Sequence, residues 1–311
     1  MKTKRILVIA IFGLASFTTN ALGAELSAKA SALPEELSQG LVLYYSFDSE
    51  PSAKEIVDES GKGNNGLPVN VQWVKEGHQG GCTSFGPTNS YITVPNKDSI
   101  NPPRLTMAAW IKTSCKDAVW PRIFDKGTDK GYTLTMGSKR WKGQVCLEVG
   151  PANVFSGIDV QVADGQWRHI VGTFDGADAK LYVDGRLIRT GHWVGEVGIT
   201  PYDLTIGANR SNPKADKGEV GVSFNGMMDD VMMFNRALST DEVQALFKVQ
   251  GGMLGAKLKN SSLVTITPAK PAAQNKPGAD ERLKQVKQLL DQGLIDKENY
   301  DRKVKEIIDS I

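Results

Sequence analysis

No apolar run in this sequence reaches the roughly 20 residues that a membrane-spanning helix requires. The apolar stretch at residues 6–17 is shorter, follows three basic residues and precedes small residues at 21–24. Residues 1–23 therefore have the pattern of a secretory signal peptide, with an uncleaved N-terminal anchor as the alternative. No cysteine follows the stretch directly, which argues against a lipid anchor. We expect an exported protein, periplasmic or extracellular.

An excess of charge of one sign is also missing. The full sequence has a formal net charge of +2, and loss of the three basic residues in the signal peptide leaves the mature chain near −1. A protein that binds the phosphate backbone of nucleic acids needs a strongly basic face, and no long Lys/Arg run supplies one. Nucleic acid is therefore not an expected partner.

Cysteine is scarce, with only Cys82, Cys115 and Cys146 in the chain. Their spacing is not that of zinc ligands, so a zinc site is not expected. An oxidising compartment would allow one disulfide among the three possible pairs. We favour Cys115–Cys146, in which Cys115 ends the predicted Trp110 strand near a loop and Cys146 lies in the predicted strand at 144–149. Three buried free thiols are the alternative.

Histidine is equally scarce, and the three present are His78, His169 and His192. The serine nucleophile signature G-x-S-x-G is absent, so no catalytic triad is suggested. His169 lies in an apolar, alternating segment, which favours a core or hydrogen-bonded role for its side chain.

The apolar residues that are present indicate an all-β fold. Short runs rich in Val, Ile, Thr and aromatics recur between clusters of Gly, Asn, Asp and Pro, as in strands joined by turns. Asp184-Gly185, between two apolar runs, is typical of a two-residue hairpin turn, and Asp175-Gly176 repeats the signal. All-β sandwiches of about 200–250 residues are common as single domains, so we assign residues 40–250 to one sandwich.

The segment at residues 226–247 predicts a buried strand followed by a helix. Its alternation places side chains on two faces of a strand covered on both sides. One face would carry Asp229, Val231 and Met233, and the other Asp230, Met232 and Phe234. Ser239 and Glu242 have the spacing of a capping box, which predicts a helix from residue 240 to residue 249.

Five further segments resemble those of laminin-G-like, concanavalin-A-like lectin/glucanase domains. They are LVLYYSFD (41–48), DESGKGNNG (58–66), SFGPTNSYITVP (84–95), LTMAAWIK (105–112) and the pair of strands at 165–185. Together with the strand and helix at 226–247, they make the resemblance specific for the fold. It implies a jelly-roll sandwich over residues 40–250. It is less specific for function, since this fold hosts lectins, hydrolases and adhesion modules.

The resemblance does not extend to the catalytic motif of the hydrolases. Glycosidases need two carboxylates held about 5–10 Å apart, and hydrolases of this fold carry them along one strand as E-x-D-x-x-E. That motif is absent here. Asp229 and Asp230 are predicted on opposite faces of their strand, so they would not act together on one bond. We therefore expect no catalytic residues.

The acidic residues are candidates for a cation site. The resemblance implies that the strand ending at Asp48 and the strand carrying Asp229 are neighbours. Their carboxylates, with carbonyl groups of the loop at 58–66, would form an oxygen-rich structural Ca²⁺ site. Hydrogen bonding of these carboxylates to loop N–H groups is the alternative.

Four of the six tryptophans lie near predicted turns, whereas Trp110 and Trp167 match core strands. We select Trp120, Trp141 and Trp193 as candidate ligand-binding residues, because each places a flat apolar face beside hydrogen-bond donors. Packing beneath loops is the alternative for each of them.

Beyond residue 250 the composition changes twice. Residues 251–279 are rich in Gly, Pro, Ala and Lys and predict a linker. Residues 280–311 show helical periodicity broken at Gly293, and they resemble the short helical hairpin called SHOCT. Such a hairpin is too small for its own core, so we expect docking or self-association. The apolar side chains proposed for self-association are Leu283, Leu290, Val304 and Ile308.

The sequence thus predicts an exported, non-catalytic recognition module that binds a carbohydrate or protein surface. Two alternatives stay open. One is a protein-interaction scaffold without a sugar site, and the other is a glycan-active enzyme whose site has no recognisable motif.

Overall fold

The computed structural model describes residues 33–252 and parts of residues 283–308. Within 33–252 the residues left out are 53, 117–119, 128–129, 138–140, 151, 158–159 and 210–222; towards the C terminus those described are 283–284, 286–287 and 297–308. The chain divides into two compact units, Met1–Ser262 and Leu263–Ile311. The predicted signal peptide and nearly all of the predicted linker lie outside the described residues.

The described part of the first unit forms two antiparallel sheets. The larger sheet has eight strands: β1 (Leu41–Tyr45), β3 (Val71–Val74), β4 (Cys82–Phe85), β6 (Leu105–Lys112), β11 (Trp167–Phe174), β12 (Asp178–Val183), β13 (Arg186–His192) and β15 (Gly226–Phe234). Their order is β13-β12-β11-β6-β15-β4-β3, with β1 also paired to β15.

The smaller sheet has seven strands. They are β2 (Leu67–Val69), β5 (Tyr91–Val94), β7 (Arg122–Asp125), β8 (Tyr132–Met136), β9 (Val145–Val149), β10 (Ala152–Phe155) and β14 (Leu204–Ile206). Their order is β10-β9-β8-β7-β14-β5-β2. The two sheets confirm the predicted jelly-roll sandwich.

The main hydrophobic core lies between the sheets. Alternate residues of each strand point into it, for example Phe124, Leu134 and Leu147 from the smaller sheet and Ile111 and Leu181 from the larger. This is the expected result of period-two apolar patterning in strands.

A second apolar cluster covers the outer face of the larger sheet. Helix α1 (Glu35–Ser38) and helix α2 (Thr240–Val249) supply Leu37, Val243 and Leu246, which pack on strand residues such as Met232 and Phe234. The larger sheet is therefore covered on both faces. The smaller sheet differs, because its outer-face side chains are mostly polar.

Local sequence signals predicted several elements correctly. Helix α2 begins with the predicted capping box, in which Ser239 accepts from the Glu242 N–H and the Glu242 carboxylate accepts from the Ser239 N–H. Asp184 and Gly185 connect β12 to β13 with φ of 50° and 72°. Positive φ at both central residues is the geometry of a type I′ hairpin turn.

The alternation predicted for β15 is broken at its acidic pair. A β-bulge separates Asp229, which pairs with Trp110, from Met232, which pairs with Ala108. Asp230 lies in the bulge with φ of 47°. Asp229 therefore shares the outer face with Trp110 instead of the inner face with Val231. Asp230 accepts a hydrogen bond from the hydroxyl of Tyr44, which belongs to the outer cluster, so the prediction of opposite faces for the two aspartates is wrong. A bulge adds one residue to a strand, so the side chains of the residues that precede it point to the opposite face from the one that regular alternation predicts.

In the second unit, helix α3 (Lys297–Ile308) matches the second helix of the predicted hairpin. Of the first predicted helix, residues 283–284 and 286–287 are helical and the remainder, including Leu290, lies outside the described residues. The SHOCT-like hairpin therefore stays a prediction. Among the helices described, none is long and apolar enough to span a membrane.

The three cysteines are free thiols, so the structure does not support the predicted Cys115–Cys146 disulfide. Cys115 follows the end of β6 in the larger sheet, whereas Cys146 lies on β9 in the smaller sheet and faces away from the core. Packed sheets are about 10 Å apart, which exceeds the roughly 7 Å between Cα atoms that a disulfide tolerates.

Candidate ligand-binding site

The outer face of the smaller sheet carries two cross-strand rows of mainly polar side chains. We call the first the arginine row; in register across β7, β8, β9 and β10 it consists of Arg122, Thr135, Cys146 and Phe155. The second, the acidic row, crosses β14, β7, β8, β9 and β10 and consists of Thr205, Asp125, Thr133, Glu148 and Asn153.

The alternation of these strands fixes which side chains face outward. Leu134 and Leu147 point into the core, so Thr133, Thr135 and Glu148 must point to the other face. The face becomes more exposed towards β10. Residues on β7 and β8 are buried, whereas Glu148 and Phe155 are partly exposed. A ligand can therefore approach over β9 and β10.

Arg122 is the most unusual side chain on this face. It is 6% exposed, and its Nε and Nη1 atoms are buried without a hydrogen-bond partner in the described part of the chain. A buried donor without a partner carries a desolvation penalty of about 1–3 kcal/mol, and more when it is charged. The guanidinium group therefore gains from any ligand that supplies acceptors.

The Glu148 carboxyl group of the acidic row lies near this guanidinium, and Asp125 lies near Glu148. Burial raises the pKa of Glu148; the nearby Arg122 charge lowers it and the Asp125 charge raises it. Asp125 is fully buried and accepts hydrogen bonds from the Gly127 N–H (3.2 Å) and the Thr133 hydroxyl (3.1 Å). The face thus offers donors and acceptors side by side, which suits a ligand rich in hydroxyl groups.

Three aromatic rings lie at the exposed end of the arginine row. Trp141 stacks on Phe155 with 5.1 Å between ring centroids, and Trp120 is 5.6 Å from Trp141 and 6.1 Å from Phe155. All three side chains are partly exposed. Trp120 also has φ of 52°, a backbone conformation uncommon for a bulky residue and often found at functional sites. We call these residues the aromatic cluster.

The third predicted tryptophan lies elsewhere. Trp193 stacks on Phe174 with a centroid distance of 5.1 Å and packs against the main core. Its ring fills the space where a Cβ on Gly150 or Gly195 would lie. The structure therefore brings Trp120 and Trp141 together and assigns Trp193 a packing role.

The predicted calcium ligands lie on either side of one loop. Asp48 is exposed and close to Gly80, whereas Asp229 is fully buried and accepts from the backbone N–H groups of three residues. These donors are those of His78 (2.8 Å), Gln79 (3.1 Å) and Asp230 (2.8 Å). Among the described residues there is no group of three or more His, Cys, Asp or Glu side chains suited to a metal. The hydrogen bonds match the alternative that the sequence left open, and calcium stays a prediction.

Removal of metal ions with a chelator tests the predicted Ca²⁺ site. An ion bound only by the folded state adds to the free energy of unfolding, so a chelator is expected to lower the melting temperature and added CaCl₂ to restore it. Thermal unfolding with MgCl₂ in place of CaCl₂ is the control. Identical unfolding curves with and without chelator would show that calcium does not stabilise this protein.

Sequence reasoning missed Asp125, Glu148 and Phe155, and Arg122 enters it only as one of the hydrogen-bond donors beside Trp120. The available signal was the alternation of polar and apolar residues within YTLTM and VCLEV, which marks one face of a strand as polar. That pattern indicates an outward face, but it does not show that charged side chains from two strands come together there.

The sequence from residue 86 to residue 244, about half of the chain, matches the family Laminin_G_3 of the concanavalin A-like lectin/glucanases superfamily. The chain belongs to this family. No curated protein sequence is significantly similar to it.

Solved structures share the fold at low sequence identity. The binding domain of Paraclostridial Mosquitocidal Protein 1 is 19% identical with a TM-score of 0.53, over 68% of this chain and 52% of that one. The botulinum neurotoxin serotype G binding domain is 15% identical with a TM-score of 0.51, over 68% of this chain and 51% of that one. This chain thus spans about half the length of these solved domains, and the similarity is one of fold.

Proposed function

We propose that the protein is an exported, non-catalytic recognition module that binds carbohydrate on the outer face of its smaller sheet. The observation that carries this proposal is the position of the buried, unpartnered Arg122 nitrogens in the same row as the aromatic cluster. A sugar ring has an apolar face that stacks on an aromatic ring and hydroxyl groups at its edge. Stacking on Trp141 would place the sugar beside Phe155, at the end of the row that leads to Arg122.

The composition of the face favours carbohydrate over a protein surface. Protein interfaces usually bury a broad apolar centre surrounded by a polar rim. Here the buried part of the face is polar, with Arg122, Asp125 and Thr133, and the aromatic rings lie at its open end. The two solved domains described above are named as binding domains, which agrees with a recognition role.

Substitution of Trp141 by Ala tests the site. The substitution removes the ring on which a sugar would stack. Binding to any glycan found by array screening of the mature protein is therefore expected to disappear. The melting temperature is expected to change little, since Trp141 is partly exposed. Trp193→Ala is the matched control, because Trp193 packs on the core; it should lower the melting temperature and leave binding intact. The reverse pattern would refute the site.

Hydrolysis is the second candidate activity, and one observation favours it. Asp125 and Glu148 share a face but lie on strands separated by β8, so their backbones are roughly 10 Å apart. Carboxyl groups of inverting glycosidases are about 6.5–9.5 Å apart. If a bound glycan is cleaved, Glu148→Gln is expected to abolish cleavage and retain binding. If no bound glycan is cleaved during long incubation with the protein, the result supports a non-catalytic binding module.

The C-terminal unit is proposed to support docking or self-association. On α3, Ile308 is 55% exposed and Val304 is partly buried. Isolated helices of this length are only marginally stable in water, so such a helix gains order by packing its apolar face. Leu283 and Leu290 of the predicted first helix would extend the same apolar surface.

A further inference from the structure

A groove opens where the two sheets end at the same edge of the sandwich. β3 is the last strand of the larger sheet and β2 is the last strand of the smaller sheet. The groove has a volume of about 520 Å³ and is lined by residues of β2, β3, β4 and the chain at residues 50–52. Sites for small ligands typically have volumes of about 300–1,000 Å³.

A buried hydroxyl group without a partner lines this groove. Thr83 on β4 is 1% exposed, and its Oγ1 atom has no hydrogen-bond partner in the part of the chain that the structure describes. Such a hydroxyl group bears a desolvation penalty of about 1–3 kcal/mol that nothing in the fold offsets. A ligand that hydrogen-bonds to it would offset that penalty.

The indole ring beside this hydroxyl is held in place. Trp73 pairs directly with Thr83 across β3 and β4, so both side chains lie on the same face. The Trp73 Nε1–H donates to the Phe47 carbonyl at 2.7 Å, and a Cβ on Gly81 would lie 2.6 Å from Nε1. A ring fixed by its neighbours loses little conformational entropy when a ligand stacks on it.

The remaining lining restricts the chemistry of the ligand. No basic side chain is among the described residues that line the groove, so phosphate and carboxylate ligands find no counter-charge. The polar residues that line the groove are Glu50, Ser52, Asn70, Gln72 and Thr83. Pro51 and Pro68 add flat apolar surface. Hydroxyl groups on a compact ring match acceptors such as the Glu50 carboxylate beside an aromatic face.

We propose that this groove is a second carbohydrate-binding site, which takes one or two neutral sugar rings at the edge of the sandwich. It is separate from the arginine row, because β14 and β5 lie between β7 and β2 in the smaller sheet. The two sites do not depend on each other. Together they would let one chain engage two points of a glycan, which raises the overall affinity without new contacts at either site.

NMR titration of ¹⁵N-labelled mature protein tests the second site. The probes are glucose, galactose and N-acetylglucosamine, followed by cellobiose, maltose and lactose. At least one is expected to shift the Trp73 indole N–H and the Thr83 amide resonances together. Thr83→Val, which keeps the shape and removes the hydroxyl, is expected to weaken that binding about tenfold or more. Its melting temperature should stay the same or rise, because the lost hydroxyl had no partner.

Thr83→Ser is the matched control, since it retains the hydroxyl and should retain binding. Arg122→Met in the same titration separates the two sites, because it removes the first and should leave the Trp73 and Thr83 shifts unchanged. The proposal is overturned if none of the six sugars shifts these resonances. It is equally overturned if Thr83→Val binds as the wild type does, or if the shifts disappear with Arg122→Met.

Discussion

Replacing Asp229 by Ala is expected to destabilise the sandwich by about 3–5 kcal/mol. The Asp229 carboxylate is fully buried and accepts from the backbone N–H groups of His78, Gln79 and Asp230. Alanine leaves three donors unpaired, each with a penalty of about 1–3 kcal/mol. Urea unfolding followed by tryptophan fluorescence measures the loss. Asp241→Ala is the control, because Asp241 lies in the exposed first turn of α2 and contributes less than about 1 kcal/mol.

The same residue gives the stability a defined pH dependence. Burial, followed by the neighbouring Asp230 charge, raises the pKa of Asp229 to about 7. An unfolded aspartate has a pKa near 3.9, so between these values the folded state binds more protons than the unfolded state. The stability that the protonated Asp229 carboxyl group contributes is therefore complete below about pH 4 and is lost as the pH rises through about 7.

Asp229→Asn should therefore be less stable than the wild type by a larger margin at about pH 5 than at about pH 8. Unfolding free energies of both proteins at the two pH values give the comparison. A margin that grows with pH would show that Asp229 is held ionised in the fold, and a loss below 1 kcal/mol for Asp229→Ala would contradict its role as an acceptor of three N–H groups.

Replacing Arg122 by Met is expected to abolish glycan binding and to leave the fold as stable or more stable. The buried Nε and Nη1 atoms have no hydrogen-bond partner in the described structure, so without ligand they contribute no hydrogen-bond energy to the fold. A buried donor without a hydrogen-bond partner carries a desolvation penalty of about 1–3 kcal/mol, which an apolar side chain of similar volume removes. Loss of two charge-assisted hydrogen bonds to a ligand should weaken binding by about 100-fold or more.

Arg168 provides a matched control, because it is nearly as buried but fully paired. It forms ion pairs with Asp164 and, at 2.8 Å, with Asp184, and it is 9% exposed. Arg168→Met should therefore destabilise the fold by about 3 kcal/mol and leave glycan binding unchanged. Glycan-array and denaturation measurements on both variants show whether Arg122 serves ligand binding or the stability of the fold. If Arg122→Met destabilises the fold as Arg168→Met does, Arg122 is structural.

The local elements of this fold follow from its sequence. The capping box at Ser239 and Glu242, the Asp184-Gly185 turn and the alternation in β6 and β9 each depend on residues within a few positions of one another. Backbone conformational preferences and short-range hydrogen bonds act over such distances, so these elements can be predicted from the sequence alone. The sandwich itself follows from the number of such strands and from the resemblance to its family.

The facing of the acidic pair could not be predicted in this way. The bulge at Asp230 depends on how β15 pairs with both β1 and β6, which lie far away in the sequence. Without the bulge, Asp229 would point into the core and Asp230 would face outward. Because β15 pairs with two neighbouring strands at once, its register depends on both of them and cannot be read from the alternation of apolar residues in β15 alone.

The sequence by itself therefore determined the fold class, the turns, the helix cap and the selection of Trp120, Trp141 and Trp193 as candidate ligand-binding residues. Only the tertiary structure decided that the first two of these rings adjoin Phe155, in the same row as Arg122, and that Trp193 packs on Phe174 against the core. The physical reason is that a binding face of a sheet is formed across strands. Cross-strand neighbours are set by register between segments distant in sequence, and register depends on the packing of the whole sandwich.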